Sequence, residues 1–470
     1  MSEAPASSGR VHFVGIGGAG MSVVAELVLA RGAAVSGSDA RESANLARLR
    51  GLGARIWVGH DAQHVDGAAQ VVVTSAVRED NPEVAAARAA GIEVIHRSTA
   101  LAQAATGLDV VAVAGAHGKT TTSAMLAVAL QAAGADPSFA IGGTVLALGT
   151  GAHLGGGRAF VAEADESDGS FLRYAPRIGV VTNIEPDHLD HYGTAAAFEA
   201  AFVEFAGTIR SGGLLVACAD DPGSARLAAS ARAAGVRVQT YGTSADADVR
   251  IEIGDLGPAG SVATLRSVAA PADTAGEPQP VVLTLAVPGE HNVRNAAAAW
   301  CAGVELGVDA ALMAQALGTF EGTARRFQDR GTVAGVRVVD DYAHNPTKVA
   351  AAVATGRRAA GEGRLVVLFQ PHLYSRTLDF AAEFAEGLVD ADEVVLTAIY
   401  GAREQPRPGV TSALITDRLP GSRYEPDRLE AARTVAALAR PGDLVMTIGA
   451  GDVTELADVI MAALEERARG

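Results

Sequence analysis

Lysine is almost absent from this sequence. Only two of the 38 basic residues are lysines, Lys119 and Lys348, so arginine carries nearly all of the positive charge. Acidic residues number 54, which leaves a formal net charge of −16. Because proteins that bind nucleic acid normally present a basic face, this balance argues against a nucleic-acid partner, while it leaves room for a nucleotide in a local pocket.

Cysteines and long apolar runs are also scarce. The two cysteines, Cys218 and Cys301, provide neither a disulfide framework nor the spacing of a metal site. No uninterrupted apolar run reaches the length of a membrane span, and residues 1–10 lack the apolar core of a signal peptide. We therefore expect a cytoplasmic protein without membrane insertion. Its assembly is left open between a monomer and a homodimer.

Aromatic residues make up only 4% of the 470 residues, whereas hydrophobic residues as a whole reach 49%. This composition favours tightly packed layers of helices and strands, and the length predicts two to four domains. We predict an α/β protein of three domains. They are an N-terminal Rossmann-like domain at 1–105, a central P-loop ATPase-like domain with a mixed sheet at 106–324, and a C-terminal Rossmann-like domain at 325–470.

The most informative stretch reads VVAVAGAHGKTTT, at residues 110–122. Its first five residues predict a buried strand, two glycines predict a turn, and the apolar segment 124–133 predicts a helix. This order favours a phosphate-binding loop, in which backbone N–H groups, the helix dipole and a lysine contact a polyphosphate and the first threonine serves Mg²⁺. The loop is shortened, because two residues rather than the usual four precede Gly118-Lys119.

A lysine in this loop stands out in a chain that elsewhere uses arginine, because its compact charge suits one group of phosphate oxygens. The alternative is an ordinary strand-turn-helix corner with a solvated lysine. The candidate nucleotide-binding residues of the loop and the first helical turn are Gly115, His117, Gly118, Lys119, Thr120 and Thr121.

Two acidic clusters follow predicted strands of the central domain. They are EADESD at 163–168 and NIEPDHLDH at 183–191. Ligands of open α/β sheets bind at the carboxyl ends of the strands, so we expect both clusters at the edge that carries the phosphate loop. Carboxylate oxygens suit Mg²⁺, which makes Glu163 the first candidate ligand. His188 is a candidate for a second ion, with a purely structural histidine as the equal alternative.

The segment VHFVGIGGAGM at 11–21 predicts a second phosphate-binding turn. Its glycines match the dinucleotide fingerprint G-x-G-x-x-G, and an acidic residue follows the second strand near the expected place. The pattern indicates bound phosphates more firmly than a nicotinamide cofactor, and the alternative is glycines that serve only close helix–strand packing. The candidate substrate-binding residues in this domain are Gly15, Gly17, Gly18, Ser38, Asp39 and Ser75.

Asn292 and Asn295 stand three residues apart at the start of an alanine-rich helix, so they would share one face. Side-chain amides either cap a helix or bind a base edge, and capping is the default for either residue alone. The preceding segment, 240–288, predicts peripheral antiparallel strands or an insertion.

Strands and helices alternate after Arg326, which predicts a parallel sheet. The predicted strands are 333–339, 364–369, 393–396 and 444–448, and the predicted helices are 348–360, 378–388, 428–438 and 453–469. Polar motifs follow three of these strands: DDYAHNP at 340–346, QPHLYSR at 370–376 and GAGD at 449–452. Their gathering indicates another ligand-binding edge.

Taken in order, these motifs resemble the Mur ligase family, the ATP-dependent amino-acid ligases of peptidoglycan synthesis. The segments that carry the resemblance, over nearly the whole chain, are HFVGIGGAGMS, GAHGKTTT, EADESDGSF, NIEPDHLDHYG, PGEHNVRNA, ARRFQ, DDYAHNP and FQPHLYSRT. Their order is most similar to that of members that join L-alanine to the carboxylate of UDP-N-acetylmuramate. The resemblance implies an ATP- and Mg²⁺-dependent ligase that forms an acyl phosphate.

The resemblance also implies a role for each nucleotide-binding region. The N-terminal glycine turn would hold the UDP part of the sugar nucleotide. Lys119 would contact the β- and γ-phosphates, and Thr120, Glu163 and His188 would serve the Mg²⁺ ions. His188 would also lie at the sugar-nucleotide substrate.

Further roles follow for the adenine side and the C-terminal domain. Asn292 and Asn295 would lie by the adenine, and Arg326 would reach the phosphates. The residues that would frame the nucleotide and the incoming amino acid are Asp341, His344, His372 and Arg376. The candidate catalytic residues are Lys119, His344 and Arg376, with His344 or His372 as the base for the amine.

Three positions depart from the family pattern. Ala116 stands where the phosphate loop commonly has threonine, Asn345 where the alanine-joining members often have histidine, and Leu373 where they often have arginine. The last two bear on the amino-acid pocket and on a strict choice of L-alanine.

Two alternatives come from other classes of protein. An NAD-dependent oxidoreductase would explain the N-terminal fingerprint and leave Lys119 and the acidic clusters unexplained. A nucleotide-dependent binding or regulatory protein would show no substrate-stimulated phosphate release. Within the family, the nearest alternative attaches a preformed peptide to the same sugar nucleotide.

Overall fold

The computed structural model describes residues 9–186, 189–257, 260–267, 279–402 and 404–469. The chain divides after Gly322 into two compact units. The first unit contains two sheets and the second unit contains one. Within the described ranges, no helix has the length and apolar character that a membrane crossing needs.

The first sheet has five parallel strands in the order β3-β2-β1-β4-β5, which is the arrangement of a Rossmann-like half. Its strands are β1 (Arg10–Val14), β2 (Val35–Asp39), β3 (Arg55–Val58), β4 (Ala68–Val73) and β5 (Glu93–His96). The accompanying helices are α1 (Ala19–Ala30), α2 (Ala44–Gly51), α3 (Pro82–Ala89) and α4 (Arg97–Ala104).

The second sheet has ten strands in the order β15-β14-β13-β12-β11-β10-β6-β9-β7-β8. They are β6 (Asp109–Ala114), β7 (Ser138–Val145), β8 (Thr150–His153), β9 (Ala159–Glu163), β10 (Ile178–Val181), β11 (Leu214–Cys218), β12 (Arg237–Gly242), β13 (Val249–Gly257), β14 (Gly260–Ser267) and β15 (Val281–Leu285). The helices are α5 (Lys119–Ala132), α6 (Leu189–Tyr192), α7 (Ala195–Gly207), α8 (Pro222–Ala233), α9 (Glu290–Glu305) and α10 (Ala310–Leu317). The central strands are parallel, whereas β13 to β15 and the β7–β8 pair are antiparallel, so the sheet is mixed as predicted.

One continuous apolar core joins these two sheets. It includes Phe13 on β1 and Phe160 on β9, both fully buried. Helix α1 packs against β7 and β8, and a second core beneath α5 and α9 covers the other face of the ten-stranded sheet. The two nucleotide-binding regions predicted for this part of the chain therefore belong to one packed body.

The second unit has a six-stranded sheet in the order β16-β17-β21-β18-β19-β20, parallel except for the first pair. Its strands are β16 (Gln328–Val333), β17 (Val336–Asp341), β18 (Leu365–Phe369), β19 (Glu393–Leu396), β20 (Arg423–Tyr424) and β21 (Leu444–Ile448). Its helices are α11 (Pro346–Ala360), α12 (Tyr374–Asp379), α13 (Ala381–Leu388), α14 (Ala413–Thr416), α15 (Arg428–Leu438) and α16 (Leu456–Arg469). Apolar cores lie on both faces of the sheet.

The predicted strand 333–339 corresponds to β17, but its bounds are wrong, because an antiparallel hairpin turn falls inside its first three residues. Strands β16 and β17 meet at a two-residue turn, in which Ala334 and Gly335 both have positive φ angles of 52° and 76°. The predicted helix 378–388 is likewise divided at Phe380 into α12 and α13. Hydrophobic periodicity runs through both breaks and does not reveal them.

Candidate functional site

The phosphate loop lies between β6 and α5 and is held by the end of the neighbouring strand β10. The His117 N–H donates to Asn183 Oδ1 at 2.9 Å, and the Asn183 side-chain amide donates back to the His117 carbonyl at 3.0 Å. The buried Ala116 donates its N–H to the Asn183 carbonyl at 3.3 Å. The loop is therefore shaped without the hydroxyl that a threonine at position 116 would bring.

Gly118 is the cap residue of α5 and approaches Asn295 closely. Its φ angle is 83°, in the left-handed region, and a Cβ placed there would lie 2.6 Å from Asn295 Oδ1. Asn295 is buried on α9, whereas Asn292 donates its side-chain amide to the Pro288 carbonyl at 2.7 Å. Neither asparagine caps α9, because its cap residue is Gly289. The packing brings Asn295 directly against the phosphate loop.

The Lys119 ammonium is almost enclosed at the start of α5. It donates to the Gly115 carbonyl at 2.6 Å and to Glu166 Oε1 at 2.8 Å. Burial lowers the pKa of Lys119, but Glu166, Glu163 and Asp165 outweigh that effect and raise it above its ordinary value. The lysine is consequently a fixed positive charge at the point where a polyphosphate would contact the loop.

Thr120 and Glu163 meet at the same end of the sheet. The Thr120 hydroxyl donates to Glu163 Oε1 at 2.8 Å, and the Gly142 N–H donates to Glu163 Oε2 at 2.8 Å. Thr121 follows in the same helical turn and is half-buried. Among the described residues, no three His, Cys, Asp or Glu side chains are grouped as metal ligands. His188, the other candidate ligand, lies outside the described residues.

A cavity of about 630 Å³ opens beside the N-terminus of α1, at one edge of the first sheet. The cap residue of this helix is Gly18, which brings no side chain to the helix end. Asp39 lies on the cavity wall and accepts the Gly17 N–H at 2.9 Å. The cavity is of the size that holds a nucleotide-like ligand, beside a helix end suited to phosphate.

Three of the substrate residues predicted for this domain, Gly17, Ser38 and Ser75, are not among those that line this cavity. Ser38 is fully buried and donates to Glu83 Oε2 at 2.6 Å. Ser75 contacts Asp168 and lies 3.3 Å from His96 Nε2. The polar lining residues that were not predicted from the sequence are His60, Thr74, Arg78, Asp80, Asn81 and Arg97. No local motif identifies them, because they come from separate segments that only the fold brings together.

In the second unit, the candidate residues gather at the ends of β17 and β18. The His344 and His372 ring centroids are 5.9 Å apart, and His372 stacks on Tyr400. The Arg376 guanidinium donates to the His344 carbonyl at 3.4 Å. Burial, with the charges of Lys348 and Arg376, lowers the pKa of His344 to about 3. His344 is therefore neutral at physiological pH.

Asp341 and Arg326 lie beside this group. Asp341 accepts the N–H groups of Phe327 and Ala343, each at 2.8 Å, and burial raises its pKa. The Arg326 guanidinium lies over the Tyr342 ring, 5.2 Å from its centroid. Leu373, at a position where the family often has arginine, has a φ angle of 73° and is the cap residue before α12.

The enclosed lysine of the phosphate loop and the second glycine turn beside a cavity indicate an enzyme that binds nucleotides. Three family models match the chain: "Mur ligase family, catalytic domain" over residues 10–107, "Mur ligase middle domain" over 113–303 and "Mur ligase, glutamate ligase domain" over 325–451. The chain belongs to the Mur ligase family. The predicted family and fold class are thereby confirmed.

Relatives of known name extend over nearly the whole chain. UDP-N-acetylmuramate–L-alanine ligase from Kineococcus radiotolerans is 57% identical over 466 residues, which are 98% of this chain and 97% of the relative. The ligase of the same name from Renibacterium salmoninarum is 55% identical, with coverage of 97% and 96%.

Solved structures share the fold over nearly the whole chain. UDP-N-acetylmuramate-alanine ligase MurC from Thermotoga maritima superposes with a TM-score of 0.81 at 29% identity, covering 98% of this chain and 99% of that one. A murein peptide ligase from Psychrobacter arcticus has a TM-score of 0.72 at 24% identity, with coverage of 97% and 99%, and shares the fold.

Proposed function

We propose that this protein is an ATP-dependent ligase that joins L-alanine to the carboxylate of UDP-N-acetylmuramate in peptidoglycan precursor synthesis. The observation that supports the proposal is that two candidate nucleotide-binding regions lie in one packed body, in a chain 57% identical to a ligase of that name. One region suits ATP, and the other is a cavity suited to a second, phosphate-bearing ligand. An enzyme that activates a sugar nucleotide with ATP needs both.

The chemistry explains the residues at the phosphate loop. A carboxylate is a poor acyl donor, and its transfer to the γ-phosphate of ATP gives an acyl phosphate that an amine can attack with release of phosphate. The main obstacle is the approach of two anions. Lys119 lies where it would offset that charge, by fixed electrostatic stabilisation rather than by proton transfer.

The donor set fits Mg²⁺, which accompanies ATP in the proposal. Mg²⁺ prefers oxygen ligands and usually takes one or two protein carboxylates, with the remaining positions filled by phosphate oxygens and water. The Thr120 hydroxyl and the Glu163 carboxylate are such ligands, 2.8 Å apart beside the loop. When bound there, the ion would neutralise charge on the phosphates. His188 is proposed as a further ligand from the sequence alone.

In the second unit, we propose His344 as the base that takes a proton from the incoming amine. Its Nδ1 lies 3.0 Å from the Tyr342 carbonyl, which favours the tautomer that leaves Nε2 as an acceptor. A neutral imidazole with a lowered pKa is ready to accept a proton, although it is a weak base. Arg376 and His372 are proposed to orient the amino acid.

The remaining assignments stay proposals. The nucleotide-binding residues are Gly115, His117, Gly118, Lys119, Thr120, Thr121, Asn292, Asn295, Arg326 and Asp341. The substrate-binding residues are Gly15, Gly17, Gly18, Ser38, Asp39, Ser75, His188, His372 and Arg376. The domain bounds 1–105, 106–324 and 325–470, and a monomer or homodimer, are proposed on the same footing. A cytoplasmic location is proposed because ATP and sugar nucleotides are cytoplasmic metabolites.

Phosphate release tests the proposal. Purified protein with ATP, Mg²⁺ and UDP-N-acetylmuramate should release phosphate when L-alanine is added, with weaker responses to glycine and L-serine. A response to a tripeptide but not to L-alanine would favour the peptide-attaching alternative. No response to any of them would leave a nucleotide-binding protein without ligase activity, and a change in nicotinamide absorbance would favour an oxidoreductase.

A further inference from the structure

Arg97 stands at the junction of the cavity and the acidic segment after β9. It is the first residue of α4, and its backbone position is fixed because His96 caps this helix by accepting the Ser98 N–H at 3.3 Å. The Arg97 side chain lines the cavity at the N-terminus of α1 and is 23% exposed. A cation is therefore presented to any ligand that enters this cavity.

Gly20 makes room for this guanidinium. A Cβ at position 20 would lie 1.9 Å from Arg97 Nη1, and Gly20 is in the first turn of α1. The third glycine of the fingerprint thus serves a side chain, in addition to any role in packing the helix on the strand. The arginine and the positive end of the α1 dipole act at the same place.

Asp165 holds Arg97 from the other side. Its Oδ2 atom is 3.4 Å from Arg97 Nη2. Burial raises the pKa of Asp165, but Lys119 and Arg97 outweigh that effect, so the pKa lies below its ordinary value and the carboxylate stays charged. An arginine has five N–H donors, so one contact of this kind orients the side chain without exhausting its capacity.

We propose that Arg97 binds the diphosphate of the UDP-sugar substrate together with the N-terminus of α1, and that Asp165 is the positioning residue that aims it. The inference rests on the proposed function, whose substrate carries that diphosphate. A guanidinium and helix N–H groups make a favourable site for such an anion, because charge-assisted hydrogen bonds add to the helix dipole. The sugar acid also carries a carboxylate, and the experiment separates the two anions.

The test measures the dissociation constants of three ligands by calorimetry on the full chain: UDP, UDP-N-acetylglucosamine and UDP-N-acetylmuramate. Only the last has the carboxylate. Arg97→Gln should weaken all three by about tenfold to hundredfold, the cost of a charged hydrogen bond. Arg97→Lys should recover part of the loss. Arg173→Gln is the matched control, since Arg173 contacts Thr99 on the same helix and is not among the cavity-lining residues.

Gly20→Ala probes the same arginine without removing it. The added methyl meets only the flexible end of Arg97, so the protein should fold, with the guanidinium displaced and UDP binding weakened. In an Arg97→Gln background, Gly20→Ala should add little. An equal loss in both backgrounds would mean that the methyl blocks the phosphate directly, and it would contradict this use of Gly20.

The outcomes separate this inference from the proposed function. If Arg97→Gln weakens the binding of UDP-N-acetylmuramate alone, Arg97 binds the carboxylate and the diphosphate assignment is overturned. Unchanged binding of all three ligands in a variant of an otherwise active enzyme would overturn the inference and leave the function intact. If the unaltered protein binds none of the three ligands and releases no phosphate, the proposed function itself is contradicted.

Discussion

The ammonium of Lys119 lies 2.8 Å from Oε1 of Glu166, a carboxylate whose side chain is fully buried. Burial raises the pKa of Glu166 despite this neighbour. An incoming polyphosphate would therefore meet a lysine that is already engaged and oriented, and would compete with Glu166 for it.

Lys119→Met should abolish turnover and leave the fold intact. We expect the turnover number to fall by about a thousandfold, as for loss of one preorganised charge at a reacting group. Steady-state phosphate release measures it, and circular dichroism checks the fold. The control is Arg158→Met, which removes a cation whose side chain is 81% exposed beside Asp109, at the other end of β6 from the phosphate loop. If Lys119→Met retains activity, the proposed role of the phosphate loop in catalysis is contradicted.

Glu163→Gln should raise the Mg²⁺ concentration needed for half-maximal activity by about tenfold or more, because a neutral amide is a poorer ligand than a carboxylate. A magnesium titration of phosphate release is the measurement. Glu199→Gln is the matched control, since Glu199 is a surface carboxylate on α7 that pairs with Arg226 at 2.7 Å. Equal magnesium dependence of both variants and the unaltered protein would contradict the assignment of Glu163.

Gly118→Ala should raise the KM for ATP by about tenfold, since a left-handed residue with a side chain costs about 1–2 kcal/mol and the methyl would meet Asn295. Gly134→Ala is the control. Gly134 has a similar φ angle of 78°, with nothing near the added methyl, at the far end of α5. Gly134→Ala should lower the stability of the protein and leave the KM for ATP unchanged. If the two variants raise the KM equally, the contact with Asn295 has no part in nucleotide binding.

The pKa of His344 predicts an acid-sensitive second unit. Its pKa is about 3 in the folded chain, below the ordinary 6.5, so between these values the unfolded chain binds a proton that the folded chain does not. The free energy of unfolding should therefore decrease as the pH is lowered through this window, by at most about 1.4 kcal/mol per pH unit from this one group. Well above pH 6.5, His344 is neutral in both states and should not make the free energy of unfolding depend on pH.

His344→Gln removes this contribution. Urea unfolding at pH 5 and pH 7 should show a smaller difference between the two pH values in the variant than in the unaltered protein. His153→Gln is the control, since His153 is a surface histidine of the first unit that lies 3.2 Å from Asp136. An identical pH slope in His344→Gln and the unaltered protein would contradict the lowered pKa.

The regular parts of the fold were accessible from the sequence because local pattern determines them. Strands β19 and β21 and helix α15 have the predicted bounds. The two strands are short apolar runs, and α15 places apolar residues at helical spacing among polar ones. Helix α5 begins at Lys119, five residues before the predicted start at 124, because its first turn is polar and contributes no apolar periodicity. The predicted peripheral antiparallel strands are confirmed by β13 to β15.

The candidate site was only partly accessible. Lys119, Thr120 and Glu163 lie in motifs whose residue types predict phosphate and Mg²⁺ binding. The fold brings these three residues together. Arg97 and Asn183 could not be singled out, because their roles come from contacts between segments far apart in the chain. One arginine among 36 gives no local signal, and the close approach to Gly20 becomes visible only in the structure.

The central claim is that the carboxylate of the sugar acid becomes an acyl phosphate before the amine attacks. Turnover with UDP-N-acetylmuramate labelled with ¹⁸O in that carboxylate tests it most directly. The amine displaces phosphate from the acyl carbon, so one carboxylate oxygen leaves with the phosphate and the other stays in the new amide. Mass spectrometry should find one ¹⁸O in the released phosphate. Unlabelled phosphate alongside amide formation would contradict the account.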